Sequence, residues 1–238
     1  PGYADFISEV KSSLRVSEGA VIVVCAASGV EAGSEQMWND AEKMNLPRLI
    51  FVNKMDRDNA DFFHTLEGIQ AKLSPRCLPV QLPMGSQSYF QGIIDLVTMK
   101  AYSGSALPEV ELPGALVEKA KSYREKLVEA VVEIDDELIS RYLEGEEIAD
   151  KEIIRAIKQA TIGGKLVPVL TGSALRGIGI QPLLNAICDY LPSPEEKDAV
   201  MAVNSTTGNK EELKPNVESP LSSLVFKTSA DPYVGKLS

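Results

Sequence analysis

Three short apolar runs constrain this chain more than any other feature. Ala20-Val21-Ile22-Val23-Val24-Cys25-Ala26 is apolar throughout and rich in β-branched residues, and Leu49-Ile50-Phe51-Val52 and Leu166-Val167-Pro168-Val169-Leu170 read the same way. A strand that is apolar at every position, rather than at alternate ones, must be covered on both faces, as in a parallel sheet. Helical patterns separate the runs. Phe6, Ile7, Val10 and Leu14 recur at helical spacing, and helices are expected from Ser34 to Met44, from about Asp61 to Leu73, and from Gln181 to Tyr190. Alternating strand and helix predict an α/β fold, a parallel sheet with helices on both faces and right-handed crossovers. In such sheets ligands sit beyond the carboxyl ends of the strands, which draws attention to the polar residues just after Val52 and Leu170.

Between Val80 and Gly164 the character changes. Strand-like pieces around Tyr89 to Asp95 and Val97 to Tyr102 precede a Pro-containing turn and then helices. Leu116, Ala120, Tyr123, Leu127 and Val131 mark one face of a helix; further helices are expected at Asp136 to Leu143 and Lys151 to Ala160. This reads as an inserted α+β subdomain with its own small core. After Leu191-Pro192-Ser193-Pro194 a stretch rich in Ser, Asn, Glu, Lys and Pro reads as a linker, and Ser223 to Lys227 as one new strand.

Composition narrows the function. A formal net charge of −10 lacks the clustered cations that nucleic-acid backbones demand, so no direct nucleic-acid binding by this acidic chain is expected. The three cysteines, Cys25, Cys77 and Cys188, are far apart and in no CxxC pair, which indicates neither a disulfide framework nor a zinc site and suits a reducing cytosol. His64 is the one histidine, on an expected helix, and reads as a surface residue rather than a ligand. No apolar run approaches the ~20 residues that span a bilayer, so no membrane partner is expected. The opening Pro1-Gly2-Tyr3-Ala4-Asp5 has neither an initiating Met nor a leader and reads as a piece of a longer protein. The Asn204-Ser205-Thr206 sequon reads as accidental.

Two loops carry the chemistry. Asn53-Lys54-Met55-Asp56 and Gly172-Ser173-Ala174-Leu175 each follow a buried strand. The Asp56 carboxylate can accept from both N1–H and the exocyclic amine of guanine, a charge-assisted fork that adenine cannot reproduce. The Ala174 amide can donate to O6, the Lys54 stem can cover a ring face, Asn53 can tie the loops together or reach N7, and Ser173 can hold Asp56 in place. Alone, Asn-Lys-x-Asp is an ordinary solvated turn. Two such loops at strand ends, in this order, favour guanine recognition.

On these residues the chain resembles translational GTPases of the elongation factor G family. Pro1-Gly2-Tyr3-Ala4-Asp5-Phe6 is similar to the end of the Asp-Thr-Pro-Gly motif and the start of switch II, Asn53 to Arg57 to the base-specificity motif, and Gly172 to Leu175 to the last G motif. Phe226 to Leu237 resembles the opening of the β-barrel second domain. Between Asp56 and Ser173 lie 116 residues, far beyond the ~30 of a strand–helix–strand unit, an excess that resembles the G′ subdomain and argues against small GTPases. The resemblance implies a truncated P-loop GTPase-type sheet. It divides the chain into a partial G domain (1–80), a G′-like insertion (81–164), the end of the G domain (165–192), a linker (193–219) and the start of the second domain (220–238). It further implies GTP and GDP as ligands, Mg²⁺ in the intact parent only, hydrolysis of GTP by that parent, and the ribosome as its partner.

Two departures matter. The family places a histidine after Pro-Gly to position the attacking water; here Tyr3 stands there, and a phenol of pKa near 10 is a poor base. Elongation factor G-like paralogues are the nearer match. The Gly2 amide is the family's γ-phosphate contact. Second, the chain has no P-loop: Gly163-Gly164-Lys165 follows a helix and precedes Leu166, and Gly177-Ile178-Gly179 is broken by Gln181-Pro182. The chain alone is therefore expected to bind nucleotide weakly without hydrolysing it, and its Ala20 strand to expose a hydrophobic edge prone to self-association. The alternative reading is a non-hydrolysing ribosome-interaction module with a vestigial guanine site, its acidic insertion facing basic partners.

Overall fold

The computed structural model describes residues 4–197, 199–231 and 235–237, so the expectations at Gly2 and Tyr3 lie outside the described residues. After a 3-10 turn at Ala4–Phe6 come α1 (Ile7–Arg15), β1 (Ala20–Cys25), α2 (Ala32–Lys43), β2 (Arg48–Asn53), α3 (Phe62–Lys72) and β3 (Cys77–Pro79). A run of short strands follows, β4 (Gln81–Met84), β5 (Gly92–Asp95), β6 (Lys100–Ser103) and β7 (Glu109–Val110), and then α4 (Gly114–Val132), α5 (Asp136–Leu143) and α6 (Asp150–Ile162). The chain closes with β8 (Val167–Thr171), α7 (Ile180–Tyr190), β9 (Val200–Val203), β10 (Lys210–Leu213), β11 (Ser229–Asp231) and β12 (Gly235–Leu237).

The apolar runs pair as their uniform composition requires. They form a parallel sheet in the order β1-β2-β8-β3, flanked by helices. Every residue of β2 but Asn53 is buried, as is every residue of β8. Cys25 aligns with Asn53 and Val52 with Thr171, so the carboxyl ends of β1, β2 and β8 finish level, and whatever follows them meets on one rim. Arg48 is tolerated at the start of this buried strand because its guanidinium stacks on Trp38, 4.2 Å from the ring centre, and donates to the Trp38 carbonyl at 3.1 Å.

Helix ends follow local chemistry. The Asp61 carboxylate caps α3 by accepting from the Phe63 and His64 amides at 2.9 and 3.0 Å, and His64 is exposed, as expected. Asp135 caps α5 in the same way. Glu31, not Ser34, stands at the N-cap of α2.

The second sheet is antiparallel, β4-β5-β6-β7. It begins one residue after β3, and Val80, between them, donates to Val169 and accepts from Leu96. The helices of this part dock on the main body through Tyr123 of α4, whose ring lies 6.0 Å from that of Phe63 on α3. Within the insertion, Arg124 of α4 donates to the Leu96 carbonyl at 2.8 Å, next to β5. The insertion therefore shares one continuous core with the parallel sheet.

Two expectations need correction. The stretch read as a linker contains a hairpin, β9 paired with β10, because Asn204-Ser205-Thr206-Thr207-Gly208-Asn209 is a tight turn rather than a tether. The Asn204 side chain accepts from the Thr206 and Thr207 amides, and Gly208 takes φ +72°. The strand expected at Ser223 to Lys227 is not formed; the next strand starts at Ser229 and pairs with β12.

At the other side of the parallel sheet, β1 is an edge. Val23 is 55% exposed there, and an open apolar groove of about 690 Å³ runs along it, lined by Val10, Leu14, Val21 and Met37. Among the described residues no helix is long and apolar enough to cross a membrane. Cys25, Cys77 and Cys188 are free thiols; burial pushes that of Cys77 up to about 12, ahead of the opposing Arg48 and Arg76 charges.

Candidate functional site

The level strand ends bring the two expected loops into contact. The carboxamide oxygen of Asn53 accepts from the Lys54 amide at 2.7 Å and, across the loops, from the Ala174 amide at 2.9 Å. A second tie runs from the Met55 amide to the Gly172 carbonyl at 3.2 Å, and the Met55 side chain is fully buried beneath. Lys54 adopts φ +65°, a left-handed residue between strand and turn, which turns the chain back so that Arg57 can donate to the Lys54 carbonyl at 3.1 Å.

Asp56 comes next on this tip. It is half-buried and, among the described residues, its carboxylate has no hydrogen-bond or ion-pair partner. A carboxylate without a partner in the chain is ready to accept donors, because nothing competes for its lone pairs. The Lys54 side chain is exposed on the same tip.

The second loop differs in part from expectation. Ser173 is fully buried, and its hydroxyl oxygen accepts from the Arg176 amide at 3.2 Å instead of holding Asp56. The Ala174 amide is engaged by Asn53, so of the two roles considered for Asn53 the structure has the loop tie. The Leu175 amide has no backbone acceptor among the described residues, and its side chain is 91% exposed. With the carboxamide oxygen of Asn53 occupied, its NH₂ group is the part left to donate outward.

Several supporting residues carry no sequence signal of their own. The Gln87 amide donates to the Met55 carbonyl at 2.7 Å, and the Arg176 guanidinium donates to the Phe90 carbonyl at 2.7 Å. A loop of the insertion thus braces both tips at once. Gly172 is required by contact: a Cβ there would lie 2.4 Å from the Ile178 carbonyl oxygen and 2.8 Å from the Phe51 ring. Gly172→Ala is therefore expected to cost about 1–3 kcal/mol by overpacking against backbone that cannot swing away. Urea unfolding of the variant reads this as a lowered midpoint at unchanged slope.

Both glycine-rich decoys are structural. Gly163 and Gly164 end α6, Gly164 at φ +65°. Gly179 stands at the N-cap of α7 with φ +80°, where a Cβ would meet the Thr171 carbonyl oxygen at 2.5 Å.

Cys25, level with Asn53, borders the same rim. Burial raises its thiol, but the Ser28 and Ala27 amides, the Ser28 hydroxyl and the Lys54 charge together hold it below the ordinary value. Among the described residues no group of three or more His, Cys, Asp or Glu side chains is gathered to hold a metal.

Comparison with known proteins identifies the family. The sequence model of the elongation factor Tu GTP binding domain matches residues 1–193. Elongation factor G of Thermotoga maritima is 46% identical over the whole chain, as is that of Thermotoga petrophila. The chain spans 35% of the length of each of these relatives. A crystal structure of a Thermus thermophilus protein superposes with a TM-score of 0.82 at 34% identity, over 99% of this chain and 33% of that one. The chain belongs to the elongation factor Tu GTP-binding domain family.

Proposed function

We propose that this chain supplies guanine recognition to a ribosome-acting GTPase of the elongation factor G type. The observation that carries the reading is the Asn53 carboxamide, whose oxygen binds both loop tips, three residues before the Asp56 carboxylate on the first of them. In this arrangement Asp56 accepts from N1–H and the exocyclic amine of guanine, and the Asn53 NH₂ group donates to N7. The Leu175 amide donates to O6, with Ala174 sharing its hydrogen between Asn53 and that oxygen. Lys54 covers one ring face, and Ser173 supports the loop from below through Arg176 rather than touching the base.

GTP and GDP are the ligands, and phosphate binding, Mg²⁺ coordination and the hydrolytic step fall to residues outside the two loops. Gly2 as a γ-phosphate contact and Tyr3 at the position of the family's switch II histidine belong to this proposal. So does the division into G-domain parts 1–80 and 165–192, an insertion over 81–164 and the start of a second domain from 220. The cytosol is the fitting compartment. The reading of a non-hydrolysing module with a vestigial site is disfavoured by 46% identity to elongation factor G across the whole chain.

Two experiments test the proposal. A protein of the relatives' length that carries this chain is expected to hydrolyse GTP in a ribosome-stimulated, magnesium-dependent way, whereas the 238-residue chain alone is expected to show no turnover. Magnesium-dependent turnover by the isolated chain would overturn the second expectation, absence of ribosome-stimulated turnover by the longer protein would overturn the first, and ADP bound as well as GDP would overturn guanine recognition. The exposed β1 edge also predicts association of the isolated chain with itself, because an unpaired strand beside apolar surface is a template for another. Sedimentation velocity across a concentration series should show a rising weight-average mass, and a strict monomer would refute this.

A further inference from the structure

The loop after β8 is closed on itself more completely than a connecting turn requires. Ser173 and Ile178 exchange both backbone hydrogen bonds, at 2.9 and 3.1 Å, and the Gly177 amide donates to the Ala174 carbonyl at 3.3 Å. The Arg176 amide donates to the Ser173 hydroxyl at 3.2 Å and the Ala174 amide to Asn53. Among the amides of residues 173–178, all of them described, only that of Leu175 is left to donate to a ligand. The turn is thus a small rigid frame, and a rigid frame has to be aimed by something outside it.

The Arg176 side chain supplies that hold. It forms no ion pair among the described residues, and its guanidinium donates to the Phe90 carbonyl at 2.7 Å, short as befits a charged donor. The acceptor is fixed in place: Phe90 is fully buried, its amide donates to the Gln87 carbonyl at 3.1 Å, and the Gln91 amide after it donates to Met84 at 2.9 Å. In the same turn Gln87, which holds the first tip through Met55, takes φ +57°, a left-handed conformation that a residue other than glycine keeps only where its surroundings impose it. Gly177, next to Arg176, meets the insertion a second time, since a Cβ there would lie 3.2 Å from the Ser105 side chain. One turn of the insertion therefore aims both tips, the first through a backbone amide and the second through Arg176.

We propose that Arg176 is a positioning residue for the O6 side of the guanine ring: by tying the frame to Phe90 it sets where the Leu175 and Ala174 amides stand. The inference rests on the reading of the two loops as a guanine site. Arg176 does not touch the base and acts only through those two amides. Released from Phe90, the frame pivots on its Asn53 tie and the amides lose their aim at O6. Asp56 lies on the other tip, which Gln87 holds independently, so its grip on N1–H and the exocyclic amine stays. The two edges of the base are then controlled separately.

Titration calorimetry with GDP, inosine diphosphate and ADP tests it, on a protein in which this chain is continuous with a phosphate-binding segment, before substitution and as Arg176→Ala and Arg176→Lys. Inosine diphosphate keeps O6 and N1–H but lacks the exocyclic amine that faces Asp56. Arg176→Ala should weaken GDP and inosine diphosphate alike, each by about five- to tenfold, and leave the preference between them as it was. A lysine ammonium can still donate to the Phe90 carbonyl, so Arg176→Lys should recover most of the loss. The urea midpoint should not move, because Arg176 is exposed and the frame keeps its own hydrogen bonds. GDP affinity unchanged in Arg176→Ala would overturn the proposal. So would a loss that Arg176→Lys does not recover, or a narrowed preference for GDP over inosine diphosphate, which would mean that the Asp56 edge is disturbed as well. ADP bound as tightly as GDP before any substitution would instead sink the guanine reading itself.

Discussion

Asp56→Asn is expected to lower affinity for GDP by about 10²–10⁴-fold, because two charge-assisted hydrogen bonds of about 1.5–3 kcal/mol each are lost or weakened. The same change should raise affinity for xanthosine diphosphate, whose C2 carbonyl can accept from the new carboxamide NH₂ where the guanine amine would have faced it. The inversion is more telling than the loss. A variant that merely damaged the fold would weaken both nucleotides, whereas a changed hydrogen-bond code weakens one and strengthens the other. Fluorescence titration with both diphosphates checks it, on a protein in which this chain is continuous with a phosphate-binding segment. The expectation rests on Asp56 having no competing partner among the described residues.

Phe51→Ala should be the most destabilising of the single changes considered, by about 3–5 kcal/mol. Phe51 is 2% exposed on β2, an interior strand of the parallel sheet, and its loss opens a cavity that flanking strands cannot close without leaving register. Its ring also lies under Gly172, so the floor of the second guanine loop goes with it. Against the roughly 5–15 kcal/mol typical of a folded domain, this is a large share. Urea unfolding followed by circular dichroism should show the midpoint fall while the slope holds, and a loss below about 1 kcal/mol would mean that the ring is not packed as described.

The parallel sheet was legible because the apolar runs in β1, β2 and β8 are uninterrupted; β2 and β8 are buried on both faces as that pattern predicts, whereas β1, at the edge, leaves Val23 exposed. Helices α3 and α5 were legible almost to the residue, since Asp61 and Asp135 cap them and the apolar period is regular. Strands β3 and β4 were not. Pro79 and Pro83 interrupt Cys77 to Met84, and proline demotes a strand reading; both strands turn out to be sheet edges, where a missing donor is tolerated. The β9–β10 hairpin was hidden in the same way, since Asn204 to Asn209 has the composition of a tether and only its pairing makes it a turn.

At the candidate site, residue identities were legible and some partnerships were not. The sequence pointed to both loops and their order, because each directly follows a buried strand. It did not say which acceptor the Ala174 amide would take, and the two expected uses of Asn53 differ by a side-chain rotation that no spacing records. The bracing through Gln87 and Phe90 comes from an insertion loop more than 30 residues beyond the first tip and some 80 before the second, so local pattern held no trace of it.

The most direct measurement is a set of ¹⁵N–¹H spectra of the labelled chain titrated with GMP and, separately, with AMP at millimolar concentration. The Asn53 side-chain NH₂ and the Leu175 and Ala174 amides should shift with GMP and stay put with AMP. Equal shifts with both nucleotides, or shifts confined to residues remote from the two tips, would contradict the claim that one side-chain oxygen holds two loops in place for a single purine edge.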